Sequence, residues 1–274
     1  MLFRSSEMIG PVQIGGLPTI EGWRFAFVAS GLPGIVGTVL ALSAREPERR
    51  EEGHPLDGTA GLGNFLLSAR SWILTHFSAV CLIATMSFAF MNWLPSYLIR
   101  GYGWAPANVG LLTGVQFLLL GPAGILAGGL IVRRMQANGV ADAAARVLRI
   151  GAILIALSLA SMAIPWSSGT VLLPLSLAVL FVSMLPTISL LAIQQATPGA
   201  LRGRMAAIYF ITTNLVGYSL GPIVTAALNE RLFTESDQLG YSLGVVGIAL
   251  GPAAALLFSL SLPQFRKIVS PTPH

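Results

Sequence analysis

Long apolar runs separated by short polar stretches dominate the chain. An α-helix needs about 20 mostly apolar residues to cross about 30 Å of hydrocarbon. Seven runs meet this length, and they cover residues 22–42, 72–98, 107–132, 147–165, 171–193, 205–228 and 239–262. Strands of a membrane barrel would be about ten residues long and would alternate strictly between apolar and polar positions. The pattern therefore predicts an all-α polytopic membrane protein with seven full transmembrane helices.

A shorter apolar stretch precedes the first of these runs. Residues 8–20 include the sequence MIGPVQIGG, and as a helix this stretch would be about 20 Å long. The residues before it, MLFRSSE, lack the apolar region and the small-residue cleavage site of a signal peptide. We therefore expect a partial transmembrane helix at the N-terminus.

The composition agrees with a membrane protein. Hydrophobic residues make up 54% of the chain and charged residues 10%, whereas a soluble domain carries about 25% charged residues. The net charge of +5 is spread over the connections between the apolar runs. This distribution argues against a nucleic-acid partner and for the lipid bilayer.

The arginines and lysines predict the orientation in the membrane. On one side, four lie in residues 45–70, four in 133–149, two in 202–204 and two in 266–267, which makes 12. The other side has three, Arg24, Arg100 and Arg231. Cytoplasmic loops carry the excess of positive charge. The C-terminus is therefore predicted to be cytoplasmic, with residues 44–70 as a cytoplasmic linker and residues 266–274 as a cytoplasmic tail.

The sequence lacks the patterns of catalytic and metal sites. The three histidines stand at positions 54, 76 and 274, and no phosphate-binding loop or nucleophile motif accompanies them. No enzyme activity, cofactor or metal is predicted.

An internal echo indicates the class of protein. The segment IGPVQIGG at Ile9 is similar to LGPIVTAA at Leu220. Each segment is followed by a polar connection, an apolar run and then basic residues. Weak internal symmetry of this kind is typical of secondary transporters.

Four stretches extend this likeness to one family. GWRFAF, in a run that ends at REPERR, resembles the passage from helix five to helix six of the major facilitator superfamily, and GPVQIGG resembles its glycine-proline motif in helix five. NWLPSYLIRGYGWAPANVGLLTG resembles its seventh and eighth helices. ATPGALRGRMAAIYFITTNLVGYSLGP is similar to its tenth-to-eleventh passage, particularly in bacterial spinster-like members.

The resemblance implies twelve helices in two six-helix halves that move a small solute by alternating access across the bacterial inner membrane. This chain would supply part of helix five through helix twelve. Residues 1–43 would be a remnant of the N-terminal bundle, and residues 71–265 would be the C-terminal six-helix bundle. The sequence departs from the family pattern at Val132, which stands where the family's loop motif favours an aspartate.

Polar side chains within the apolar runs are candidates for the solute cavity, because buried polar groups in a membrane need partners. The candidates are Asn92, Trp93, Gln116, Tyr209 and Asn214. The alternative role for Asn92, Gln116 and Asn214 is hydrogen bonding between helices, and for Tyr209 it is to anchor an interface.

Proton coupling has two titratable candidates near the membrane core, Glu7 and His76. For His76 the alternative is an interfacial residue that lipid headgroups hydrate.

Loop arginines are candidates for gating, and small residues are candidates for close helix packing. Arg133, Arg202 and Arg204 are candidates for a cytoplasmic gate, in which Arg202 and Arg204 would pair with acids such as Glu46 or Glu48. The alternative role of Arg202 and Arg204 is to set the topology. Close packing between helices is predicted for Gly10, Pro11, Gly15, Gly16, Gly217, Gly221 and Pro222, and for a glycine ladder at Gly110, Gly114, Gly121, Gly124 and Gly128.

The predicted function is secondary active transport of a small solute, for example by proton symport. Alternating access needs two bundles, so the chain alone is expected not to transport. The alternatives are a truncated remnant without transport activity and a half-transporter that needs a separate N-terminal half.

Overall fold

The computed structural model describes residues 22–43, 58–233 and 238–269. The chain divides into two compact units, residues 1–52 and residues 53–274. The described part of the first unit is one helix, α1 (Gly22–Ser43). In the second unit the helices are α2 (Gly58–Ser68), α3 (Arg70–Tyr102), α4 (Pro106–Ala137), α5 (Ala143–Ala160), α6 (Leu172–Ala196), α7 (Arg202–Leu232) and α8 (Leu239–Val269). The described residues contain no strand, and the predicted all-α class is confirmed.

Helices α3 to α8 are each long and apolar enough to cross a membrane. They coincide with the last six predicted runs, which are therefore confirmed as helices of spanning length. The first predicted run coincides with α1, whose apolar part, Phe27–Ser43, is shorter, so the seventh span stays a prediction. The partial helix predicted over residues 8–20 lies outside the described residues.

The predicted linker contains a helix. Residues 58–68 form α2, and its side chains Leu62, Phe65 and Leu66 pack against the hydrophobic core of the second unit. This apolar face is hard to recognise in the sequence GTAGLGNFLLS, because glycines interrupt the helical spacing of its apolar residues. Residues 44–57 lie outside the described residues. At the other end of the unit, α8 extends to Val269, so the predicted tail begins inside a helix.

Glycines allow α7 to lie directly against α3. A Cβ atom added to Gly221 would lie 2.7 Å from the backbone nitrogen of Ala89 and 2.7 Å from the backbone oxygen of Thr85. A Cβ atom added to Gly217 would lie 2.8 Å from the Cβ atom of Ala84. Because no side chain fits at these positions, the two backbones approach closely, as small residues permit in membrane helix pairs.

The glycine ladder of α4 packs along only part of its length. Gly124 lies against the backbone of Leu180, and Gly128 lies against Met184, both on α6. Gly110 and Gly114 have open space where a Cβ atom would stand. The packing interpretation of the ladder therefore fits its C-terminal part and not its first two glycines.

Burial differs strongly between the helices. In the most apolar window of each helix, 61% of the residues are buried for α5 and its short 3₁₀ extension, but only 28% for α4 and 22% for the segment that contains α7. The exposed side chains of α4 and α7 include Leu111, Leu118 and Ile211, each about two-thirds exposed or more. Large apolar side chains left exposed along two helices favour contact with lipid or protein.

Candidate functional site

A cleft of about 200 Å³ lies between α3, α6 and α7. We call it the α3–α6–α7 cleft. Its lining carries no charged side chain and is mostly apolar. The polar members of the lining are Ser87, Ser189, Tyr209, Thr213 and Asn214. An uncharged apolar cleft with a few hydroxyl and amide groups is typical of a small-molecule site.

Most of the polar groups in the cleft are bonded to backbone carbonyls. Ser189 Oγ donates to the carbonyl of Leu185 (2.9 Å), and Tyr209 Oη donates to the carbonyl of Pro186 (3.0 Å). Thr213 Oγ1 donates to the carbonyl of Tyr209 (2.8 Å), and Asn214 Nδ2 donates to the carbonyl of Phe210 (2.8 Å). Ser87 differs, since its hydroxyl is buried and has no hydrogen-bond partner among the described residues. A buried polar group without a partner costs about 1–3 kcal/mol. A hydrogen-bond partner for Ser87 would remove this cost.

Pro186 shapes the α6 wall of the cleft. Proline has no backbone N–H, so the carbonyl of Val182, four residues earlier and also in the lining, lacks its usual helical donor. Tyr209 reaches the carbonyl of Pro186 itself from α7. The cleft wall therefore combines a helix with an interrupted backbone ladder and a tyrosine that ties α7 to it.

Two of the five predicted cavity residues, Tyr209 and Asn214, line the cleft. The other three make contacts elsewhere. Trp93 Nε1 donates to the carbonyl of Pro222 (3.2 Å), Gln116 Nε2 donates to Ser176 Oγ (3.0 Å) and Asn92 Nδ2 donates to Phe88 of its own helix (2.9 Å). Trp93 and Gln116 thus form hydrogen bonds between helices, which was the alternative role for Gln116.

Of the two proton-coupling candidates, the structure describes His76, which is not part of the cleft lining. Glu7 lies outside the described residues. His76 is fully buried, stacked on Trp72 with 5.1 Å between ring centroids and edge-on to Phe258 at 5.5 Å. The backbone of Ser189 lies close to the imidazole, but neither ring nitrogen has a hydrogen-bond partner with good geometry in the described part of the chain. Full burial does not agree with the alternative of a headgroup-hydrated residue.

The gate arginines are all exposed on their helix ends. Arg133 lies near the end of α4, and Arg204 lies in the first turn of α7. Arg202 Nε donates to the carbonyl of Gln194 (3.2 Å), which links the end of α6 to the start of α7. The acids proposed as partners, at positions 46 and 48, lie outside the described residues, so this pairing stays a prediction.

The predicted packing residues divide between the two units. Gly10, Pro11, Gly15 and Gly16 lie outside the described residues. Gly217 and Gly221 are buried against α3, and Pro222 supplies the carbonyl that Trp93 bonds.

A charge cluster that was not predicted from the sequence lies at the end of the bundle. Asp142, just before α5, has a side chain that is only 3% exposed. Its Oδ1 accepts from Arg146 Nε (2.9 Å) and its Oδ2 accepts from Arg266 Nε (2.6 Å) on α8. Burial raises the pKa of the Asp142 carboxyl, but the hydrogen bonds and charges of Arg266 and Arg146 outweigh burial and hold that pKa below its usual 3.8. The spacing of Asp142 and Arg146 was visible in the sequence, whereas Arg266 lies 124 residues away.

Replacement of Asp142 by asparagine is expected to destabilise the bundle by about 1–2 kcal/mol at pH 7, since hydrogen bonds to charged groups are lost while both arginines can still be hydrated. The lowered pKa means that this contribution is complete above pH 3.8 and disappears as the pH falls through the folded-state pKa. The melting temperatures of wild type and variant in detergent should therefore differ at pH 7 and converge toward pH 3. Arg146→Gln, which removes only a partly exposed pair four residues apart, should cost about 0.3–0.5 kcal/mol. An undiminished difference at pH 3 would contradict this account.

Six helices of spanning length, an apolar outer surface and an uncharged cleft between three of them define an integral membrane protein with the build of a solute transporter. The model of the Major Facilitator Superfamily matches residues 1–222, well over half of the chain. The chain belongs to this superfamily.

A solved structure agrees with the family in fold. The chain is similar to the crystal structure of a bacterial homolog of the human lysosomal transporter Spinster, in an inward-facing and unoccupied conformation, with a TM-score of 0.56 and 15% sequence identity. The match covers 94% of this chain and 63% of that one, so the chain spans less than two-thirds of the length of that protein. Comparison with curated proteins gave no match.

Proposed function

We propose that the chain contributes the C-terminal six-helix bundle to secondary transport of a small solute by alternating access, and that the α3–α6–α7 cleft is its part of the solute path. The observation that supports this most is the buried, unpartnered hydroxyl of Ser87 within an uncharged apolar cleft. Superfamily membership supports the class of activity.

The chemistry of the cleft favours an apolar or amphipathic solute. A charged group placed there would lose its hydration and find no charged partner in the lining, which is costly. A solute with one hydroxyl, carbonyl or amide group could instead bond to Ser87. A second polar group could reach the amide oxygen of Asn214.

Movement of the helices is proposed to use the glycine contact of α7 on α3. Gly221 faces the backbone of α3, and Gly217 faces Ala84 and the edge of the Phe88 ring, so few interlocked side chains oppose a shift of α7 along α3. Arg133, Arg202 and Arg204 remain candidates for the cytoplasmic gate, and Glu7 and His76 remain candidates for coupling to protons.

The orientation is part of the proposal. The excess of positive charge supports a bacterial inner-membrane protein with the ends of α4, α6 and α8 in the cytoplasm. Two exposed positions test this in a Cys81→Ser background. A membrane-impermeant thiol reagent added to whole cells should label Ser168→Cys, between α5 and α6, and leave Asn138→Cys, after α4, unlabelled until lysis. The reverse pattern would overturn the orientation.

The solute path is tested with a cysteine in place of Ser87, again without Cys81. Uptake of labelled lipids and of uncharged amphipathic solutes is measured in vesicles that contain the protein. A thiol reagent should stop uptake by the Ser87→Cys protein, and an excess of the transported solute should slow its labelling. The same reagent on Ser168→Cys should leave uptake unchanged. Labelling of Ser87→Cys without any effect on uptake would refute the cleft as the solute path.

A second candidate is a half-transporter, and the open side of the cleft favours it. A solute in the cleft would contact protein from α3, α6 and α7 and would need a further wall opposite them. Uptake by the purified chain alone would support a self-sufficient transporter. Uptake that appears only when the neighbouring genes of its genome are expressed with it would support the half-transporter.

A further inference from the structure

A second pocket, unconnected to the α3–α6–α7 cleft, lies where α3 ends. It has a volume of about 290 Å³, and it is lined by residues from the end of α3, the segment after α5 and the start of α8. We call it the Tyr97–Tyr102 pocket. It shares no lining residue with the α3–α6–α7 cleft. Its lining contains four aromatic side chains, Tyr97, Tyr102, Trp166 and Tyr241, and no charged one.

Tyr97, Tyr102 and Trp166 use their hydrogen-bond donors within the protein, so these three side chains offer a ligand only acceptors and ring surface. Tyr97 Oη lies 3.2 Å from the Met162 carbonyl and 3.2 Å from Tyr102 Oη. A carbonyl can only accept, so the single hydroxyl proton of Tyr97 points to Met162, and Tyr102 must donate its own proton to Tyr97. Trp166 Nε1 donates to the carbonyl of Ser161 at 2.7 Å. The free lone pairs of the Tyr102 oxygen and the exposed ring surfaces of Tyr102, Trp166 and Tyr241 remain for a ligand.

The rings are arranged as walls. Tyr97 and Tyr102 are in edge-to-face contact, with centroids 5.5 Å apart at an interplanar angle of 71°. Tyr97 is buried and holds the partly exposed ring of Tyr102 in place at the side of the pocket. Tyr241 is stacked on Phe233 at 5.7 Å, which covers one of its faces and leaves the other. Aromatic faces carry negative potential and attract organic cations, above all ammonium groups.

We propose that the Tyr97–Tyr102 pocket binds an organic ammonium cation. Ring faces and an oxygen acceptor are matched to a positive, weakly hydrated group. An anion would face the same negative potential without a donor from Tyr97, Tyr102 or Trp166. The ammonium group can belong to a free solute or to a lipid headgroup, since both carry the same chemistry.

The test uses three probes of one shape and different charge: choline, the neutral 3,3-dimethylbutan-1-ol and the anion 3,3-dimethylbutanoate. Binding is measured by calorimetry on the full chain in phosphatidylglycerol nanodiscs, with empty nanodiscs as the reference. Choline should bind about tenfold more tightly than the neutral probe, and the anion should not bind. Equal binding of choline and the neutral probe would overturn the proposal.

Variants locate the binding. Tyr102→Leu should remove most of the preference for choline, whereas Tyr102→Phe, which keeps the ring, should retain part of it. Tyr218→Leu, at an exposed position of α7 outside the pocket, is the matched control and should bind as wild type does. If Tyr102→Leu does not fold, Tyr241→Leu at a half-exposed position provides the same test. Unchanged choline binding in a folded Tyr102→Leu or Tyr241→Leu protein would refute the assignment.

A further experiment, with a different lipid, distinguishes the two sources of the cation. Nanodiscs that contain phosphatidylcholine supply the same ammonium group within the bilayer. Weaker binding of soluble choline in them would identify a headgroup as the occupant, and unchanged binding would identify a free solute. Loss of transport in Ser87→Cys vesicles bears only on the cleft, so the two proposals can fail separately.

Discussion

Replacement of Gly221 by valine is expected to separate α7 from α3 and to destabilise the bundle by about 3 kcal/mol or more. Overpacking in a close-packed site costs about 1–3 kcal/mol when neighbours can adjust. Here the new Cβ atom would meet two backbone atoms, the nitrogen of Ala89 and the oxygen of Thr85, each at 2.7 Å. Backbone atoms within a helix cannot rotate away, so the whole of α7 must move. A lower melting temperature and loss of the monodisperse peak in detergent would show this.

Gly203 provides the matched control on the same helix. A Cβ atom there would meet no atom within 4 Å. Gly203→Val should therefore be neutral or slightly stabilising, because valine has a higher helix propensity than glycine. Equal destabilisation by the two substitutions would mean that glycine flexibility, and not the close approach to α3, matters at position 221.

A tryptophan in place of Asn214 is expected to reduce uptake to the level of protein-free vesicles while the fold is kept. Asn214 is exposed, lines the α3–α6–α7 cleft and bonds only to a carbonyl of its own helix among the described contacts. An indole there enters the open cleft and does not have to displace core side chains. The assay is the uptake measurement described for Ser87→Cys, under the condition that supports uptake by the wild type.

Leu215 is the control for this substitution. It is the next residue of α7, is 68% exposed and is not part of the cleft lining. Adjacent residues of a helix point about 100° apart, so Leu215→Trp adds the same bulk in another direction. It should leave uptake near the wild-type rate. Equal loss in both variants would indicate a general effect of bulk on α7 and would remove the support for the cleft.

The polar candidates show how far single-sequence reasoning reaches. Gln116, Trp93 and Tyr209 stood out because a polar group inside an apolar run needs a partner. Which partner each one finds depends on the helix that faces it. Ser176 faces Gln116 across α4 and α6, and Pro222 faces Trp93 across α3 and α7. Serine at position 87 had no signal of its own, because serines occur throughout membrane helices and most bond to their own backbone.

The sequence by itself determined the membrane class, the helical composition and the approximate position of six spans. These properties depend on local hydrophobicity and on helix length, and both can be read directly from the order of the residues. Tertiary structure alone decided which glycines are contacts, which of the polar side chains meet in a cleft and that Asp142 pairs with Arg266 across 124 positions. The physical reason is that lipid exerts no preference between apolar helix faces, so the pairing of helices depends on shape and on a few hydrogen bonds. Such complementarity exists only once two helices lie side by side.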